Sequence, residues 1–356
     1  MALLALIRGL AGDVAVLALD HLLPFPSAAA VQEAVTIEPH EKWSNVFGNQ
    51  EMELHFTVKS PKALQGRVGW VFASTDKRTF SRGEAPVTAG PEKPATVNVR
   101  VMVPPVKDGV ILQALLTVAV YGDAPDKPEA TIEKNLWIFP PDPFVDRTQW
   151  LKDLKLTLFD PKATTAGVLE KMNIPFDDTR NVAALGELSE GLLLIGEEVS
   201  FKEDRDLAET MPKVAARGVP VLCLAPAEGV FPLPGTDNRE LPEPASLSFR
   251  RQDVITELDK RLDAEAWPPE GELMVNTFVI KAEAGNVVSE IVHGTKGWTW
   301  IEVKFPEKKS KLAVCSCRII RQWDESPTPR FLFARVLERL SEKSESEPVT
   351  ERTGAK

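Results

Sequence analysis

Residues 191–225 read GLLLIGEEVSFKEDRDLAETMPKVAARGVPVLCLA, and they decide the fold of the second half of the chain. Gly191-Leu192-Leu193-Leu194-Ile195-Gly196 is a short continuous apolar run, the pattern of a strand covered on both faces. Leu207, Met211, Val214 and Ala215 follow at i, i+4, i+7 and i+8, which predicts an amphipathic helix. Pro212 is expected to kink or split that helix, and Gly218 suits its C′ position. Val219–Ala225 then reads as the next buried strand. Strand, helix and strand in this order predict a parallel sheet with helices on both faces.

Working outward, Leu154–Phe159 predicts a strand ending in Asp160-Pro161. Thr164 or Thr165 can cap a helix carrying Val168, Leu169 and Met172. Asp253–Leu262 is a further amphipathic helix. From Leu273 the pattern changes to strands, expected at Leu273–Ala282, Val287–His293, Trp298–Phe305 and Lys311–Ile319. Ser326 with Pro327 opens a last helix that offers Leu332, Val336, Leu337 and Leu340 to a core. An α/β domain over 154–340 results, followed by a polar tail, 341–356, expected to be disordered.

Upstream the period changes to two. In Glu51–Lys59, Met52, Leu54, Phe56 and Val58 share one face. Val97, Val99, Val101 and Val103 repeat the pattern. Further strands are expected at Val35–Glu38, Arg67–Ser74, Arg78–Gly83, Val110–Tyr121 and Ala130–Phe139. About seven strands with Pro/Gly/Asp turns over 31–142 predict a two-sheet, immunoglobulin-like β-sandwich lacking the antibody disulfide. The fold class is thus an all-β sandwich followed by α/β. Pro140-Pro141-Asp142-Pro143 marks the boundary, with 143–153 as a Pro-rich linker. The 29 prolines among 356 residues fit a chain rich in rigid turns.

The first 30 residues, MALLALIRGLAGDVAVLALDHLLPFPSAAA, combine apolar stretches, a lone Arg8 and a small-residue run ending at Ala30. They predict an export signal cleaved near Ala30, although Asp13 and Asp20 interrupt its apolar part. The expected location is extracytoplasmic, periplasmic or secreted. No uncharged stretch reaches the roughly 18 apolar residues of a spanning helix. A net charge of −10 argues against a nucleic-acid or anionic-membrane surface. Cys223, Cys315 and Cys317 are too few for a disulfide framework, and His21, His40, His55 and His293 form no metal-binding spacing. No phosphate-cradling loop occurs, because Gly191–Gly196 lacks both the dinucleotide spacing and a Walker lysine. Neither a cofactor nor a metal is expected.

Gly191–Gly196, the helix after it and Ala216–Ala225, with the closing strand Lys311–Ile319 and Trp323-Asp324-Glu325-Ser326-Pro327, resemble the class I glutamine amidotransferase-like superfamily. The resemblance covers about 190 residues and points to its non-amidotransferase branches, such as trehalose-utilisation-type domains and β-galactosidase trimerisation domains. It implies a flavodoxin-like sheet with extra C-terminal strands and, in active members, a cysteine nucleophile on the sharp turn after a strand. Matching Pro220-Val221-Leu222 to that strand puts Ala225 at the nucleophile position, with Cys223 two residues earlier inside the strand. Ala225-Pro226-Ala227 replaces the glycine-flanked turn, and His293-Gly294-Thr295 offers no His-x-Glu. The triad is therefore absent.

In open α/β sheets ligands bind beyond the carboxyl ends of the strands. That rule selects Asp160, Gly196, Glu197, Glu198, Pro226 and Glu228 as candidate ligand-binding residues. The bland reading is that Asp160 and Glu197 cap the helices after them, while Glu198 and Glu228 are solvated. Trp43, in the turn-like Glu41-Lys42-Trp43-Ser44-Asn45, is a candidate exposed ring for stacking a sugar, whereas Trp70 is expected in the core. Trp298 and Trp300 are expected to share a strand face against the last helix. Two roles follow: a non-catalytic binding or assembly protein whose partner is a glycan or another protein subunit, or a glycan hydrolase using Asp160, Glu197 and Glu228.

Overall fold

The computed structural model describes residues 34–342 apart from 125, 236–239, 269–270, 285–286, 294–297 and 307–309. The expected export signal, 1–30, and nearly all of the expected tail, 341–356, lie outside the described residues.

The N-terminal half is all β. Its strands are β1 (Thr36–Pro39), β2 (Asn45–Phe47), β3 (Gln50–Lys59), β4 (Leu64–Ser74), β5 (Thr79–Ala89), β6 (Ala95–Val103), β7 (Leu112–Tyr121) and β8 (Ala130–Phe139). They form a three-stranded sheet, β1-β3-β6, and a five-stranded sheet, β2-β8-β7-β4-β5. The period-two faces explain why the sheets meet. Met52, Leu54, Phe56 and Val58 of β3 and Val97, Val99, Val101 and Val103 of β6 join Val68, Phe72, Leu116, Val118, Leu136 and Ile138 in one apolar cluster. Met102, on the opposite face of β6, is exposed. Eight strands replace the seven read from sequence, because three-residue β2 is too short to show alternation.

Trp43 corrects the sequence reading outright. Its side chain is 9% exposed and belongs to the same cluster, beneath the Lys134 ammonium at 5.9 Å from the ring centroid. Burying the indole removes more water than any loop display would allow, and the ring is closed to a sugar. Trp70 lies directly across β4–β5 from Gly83, where a Cβ would come within 2.4 Å of the indole. Its indole N–H donates to the Arg100 carbonyl at 3.2 Å.

The C-terminal half alternates helices and strands: α1 (Thr148–Asp153), β9 (Leu156–Phe159), α2 (Thr164–Lys171), β10 (Asp177–Thr179), α3 (Val182–Leu185), β11 (Leu192–Ile195), α4 (Leu207–Ala216), β12 (Val221–Leu224), β13 (Val230–Pro232), β14 (Ser246–Arg250), α5 (Asp253–Leu258), β15 (Phe278–Ala284), β16 (Val287–His293), β17 (Trp300–Lys304), β18 (Lys311–Cys315) and α6 (Pro327–Ser341). Seven strands build one sheet in the order β10-β9-β11-β12-β18-β17-β14. The first five run parallel, whereas β17 and β14 are antiparallel to their neighbours. The sheet is therefore mixed. The expected C-terminal strands extend it, with β18 beside β12 at its centre, while β13, β15 and β16 form a separate sheet.

Both faces of this sheet are covered. Leu192, Leu194, Leu222, Leu224 and Ala313 pack with α2, α5 and α6, and Leu193, Ile195, Val221, Cys223 and Val314 pack with α3 and α4. That double cover explains why β11 and β12 read as continuous apolar runs. Pro212 does not split α4, which runs through it, and Gly218 takes the left-handed C′ conformation at φ 105°. Trp298 and Trp300 part company. Trp300 is buried in the α6 face, whereas Trp298 precedes β17 and lies 37% exposed beside the Phe249 ring at 5.3 Å.

Residues 143–153 are not a free linker. They contain α1 and bury Phe144 and Leu151 in the core shared with α6. Across the same seam Phe139 meets Phe331 edge-on at 4.7 Å, and the Asp263 carboxylate accepts from the Ser44 amide (2.8 Å) and hydroxyl (2.6 Å). Among the described residues, no helix is long and apolar enough to cross a membrane.

Candidate functional site at the strand ends

The parallel strands β9, β11 and β12 end side by side at Asp160, Gly196 and Ala225. Asp160 is buried, and its Oδ2 accepts from the Ala166 amide at 2.9 Å. It therefore caps α2, whose own N-cap position, Ala163, is left-handed and carries no side-chain acceptor. Neither Thr164 nor Thr165 takes that role. Asp160 Oδ1 is buried without a hydrogen-bond partner. Gly196 is required here by close approach, since a Cβ would come within 2.8 Å of the Asp160 carboxyl carbon.

Glu197 is 2% exposed. Its backbone amide donates to Thr165 Oγ1 at 2.9 Å. Its carboxylate reaches across to the turn after β18, where Oε2 accepts from the Ile320 amide at 2.7 Å and Oε1 from the Arg321 amide at 3.2 Å. Glu197 thus does not cap the helix that follows it in sequence. It secures a segment more than 120 residues away. Burial pushes its carboxyl up to about 7, against the two amide donors that favour the charged form, and the neighbouring Glu198 charge adds to the rise.

Glu198 has a left-handed backbone, φ 66°, and its amide donates to the Ala225 carbonyl at 3.1 Å. Its carboxylate stands 3.8 Å from the Arg321 guanidinium. Thr164, Val168, Glu197, Glu198, Ile320 and Arg321 enclose a cavity of about 230 Å³. The residues around it bring two carboxyl groups, a guanidinium, a hydroxyl and two aliphatic side chains, a set suited to a small polar ligand.

Four of the six selected strand-end residues, Asp160, Gly196, Pro226 and Glu228, do not line this cavity. Glu228 is exposed and pairs with Lys202 at 3.3 Å. Pro226 is buried in the bend after β12. Sequence reasoning missed Ile320, Arg321, Asn276 and Arg318. The strand-end rule does not single out Ile320 and Arg321, which lie in the turns five and six residues beyond the end of β18 at Cys315.

The bend itself is filled. Ala225 is fully buried at φ 29°, a conformation that favours glycine. Its carbonyl accepts from the Asn276 side-chain amide at 2.6 Å, and Arg318 Nε donates to Asn276 Oδ1 at 2.6 Å. Cys223 sits inside β12, and burial drives its thiol far above the ordinary cysteine range. Cys315 and Cys317 are buried and free as well. Among the described residues, no group of three or more His, Cys, Asp or Glu side chains is placed to hold a metal ion.

No protein-family model and no curated protein matches the chain. Among solved structures, it is similar to the CARDB domain of a Pyrococcus furiosus protein in complex with di-metal ions (14% identity, 30% of this chain and 86% of that one, TM-score 0.20). It is also similar to a family 123 glycoside hydrolase from Clostridium perfringens (6% identity, 54% and 48%, TM-score 0.24). A third is a glycosyl hydrolase family 2 member from Bacteroides cellulosilyticus (12% identity, 53% and 36%, TM-score 0.21). The chain spans less than half the length of either glycosidase, and likenesses this faint carry no functional argument.

Proposed function

We propose that the chain is an exported, non-catalytic binding or assembly protein, in which an immunoglobulin-like sandwich is joined to a degenerate class I amidotransferase-like domain. The observation that carries this reading is Ala225. The backbone at the end of β12 keeps a left-handed bend, as a strand-end nucleophile would need. Yet that position holds a methyl group, is fully buried and is clamped by Asn276. A thiol two residues earlier, inside the strand and held protonated by burial, cannot act as a nucleophile.

The carboxylates support binding over hydrolysis. Asp160 is engaged as a helix cap, Glu197 is committed to two backbone amides, and Glu228 lies outside the cavity. What remains open is a pocket with Glu198 and Arg321 at its mouth, which can share hydrogen bonds with a hydroxyl-rich ligand. The sugar-related branches of the resemblance direct the ligand class to glycans.

A thermal-shift screen of the full chain against mono- and oligosaccharides, with and without divalent cations, tests the reading. A ligand at 100 times its Kd stabilises the folded state by about 2.7 kcal/mol. The expected outcome is stabilisation by a sugar, lost in Arg321→Ala, with the sugar recovered unchanged. Hydrolysis of the sugar, or the absence of any stabilising ligand, would overturn it.

A further inference from the structure

The wall of the strand-end pocket belongs to no helix or strand, and its own backbone bonds are those of turns, such as the Trp323 amide on the Ile320 carbonyl at 3.2 Å. Ile320 and Arg321 lie in the connection between β18 and α6, and their amides point at one buried carboxylate supplied by the turn after β11. A carboxylate can satisfy two N–H donors at once with a full charge behind both bonds. A protonated carboxyl places a hydrogen on one oxygen, so that oxygen becomes a poor acceptor. The Arg321 bond, at 3.2 Å against 2.7 Å for Ile320, is the weaker and yields first.

We propose that Glu197 is a positioning residue that acts as a proton-operated latch, fixing the Ile320–Arg321 wall of the pocket when ionised and releasing the Arg321 amide when neutral. The inference deepens the binding role proposed above and rests on it only for its consequence, which is that ligand affinity follows the state of the latch. The groups around the latch are few. Glu198 follows it in the chain, Arg318 and Cys317 face it from the connection after β18, and α2 contributes the Thr165 hydroxyl. Glu198 disfavours the charged form and Arg318 favours it. Arg321, which carries the pocket's cation, is tied to the latch through its backbone and to Glu198 through its side chain.

The test needs no ligand. Backbone amide resonances of Ile320 and Arg321 are followed in the full-length protein from pH 5 to 9. Both are expected to titrate together with a midpoint near 7, Arg321 with the larger change, and both are expected to be flat in Glu197→Gln. Glu198→Gln, which keeps the side chain's shape at this half-buried position, is expected to move the midpoint down by removing a like charge. Flat amides in the unaltered protein, an undiminished titration in Glu197→Gln, or an unmoved midpoint in Glu198→Gln would each overturn the latch. Failure of every sugar to bind would sink the binding role and leave this titration as it is.

Discussion

The Asn276 side-chain amide donates to the Ala225 carbonyl over 2.6 Å, tying the segment before β15 to the bend after β12. Arg318 in turn holds Asn276 by its amide oxygen. A left-handed alanine costs about 1 kcal/mol or more and persists only where its surroundings fix it. This chain of two hydrogen bonds supplies that support. Asn276→Ala removes the donor that reaches the buried Ala225 carbonyl and the acceptor of the half-buried Arg318 guanidinium, so it is expected to cost about 1–3 kcal/mol, read from chemical denaturation. A loss below about 0.5 kcal/mol would show that the bend does not depend on the clamp.

Stability should respond to pH through Glu197. Its folded-state carboxyl titrates near 7 against an ordinary value of 4.5. Between these limits the folded protein holds a proton that the unfolded chain has released, so stability falls as pH rises through this window. One such group contributes a slope of at most about 1.4 kcal/mol per pH unit. Denaturation at pH 5 and pH 7.5 is expected to show that decline in the unaltered protein and a smaller one in Glu197→Gln.

The sandwich has its own sharp test. A Cβ at Gly83 would overlap the Trp70 indole at 2.4 Å, and the ring is backed by its bond to the Arg100 carbonyl. Gly83→Ala should therefore cost about 1–3 kcal/mol through overpacking, with a matching fall in Tm. Trp70→Phe in the same background should recover part of it. Additive losses in the double variant would disprove the contact.

Between the two halves, Asp263 is the polar bolt. Burial raises its carboxyl, and Ser44 opposes the rise with two donors. Ser44→Ala removes the hydroxyl and is expected to cost about 1.5–3 kcal/mol, the range for a hydrogen bond to a charged group. Denaturation followed by tryptophan fluorescence would measure it.

Much of this architecture was legible in the chain because burial writes a period. The alternation of β3 and β6 and the uninterrupted runs of β11 and β12 announce one-sided and two-sided cover respectively. Short or irregular pieces leave no such trace: β2, β10 and β13 have three residues each. Trp43 was misplaced because turn-like neighbours say nothing of whether a second sheet and Lys134 close over the ring. The pocket was half visible. Glu197 and Glu198 follow from the strand-end rule, whereas their partners Ile320 and Arg321 are brought in by tertiary packing from more than 120 residues away.

Thiol labelling of the native, full-length protein tests the emptied bend most directly. With Cys223 inside β12 and Cys315 and Cys317 buried beside it, the account predicts that all three stay unmodified by a small alkylating reagent until denaturant is added. Rapid modification of Cys223 in the native protein would contradict it, because an accessible, reactive thiol at that strand would restore the nucleophile the account says is gone.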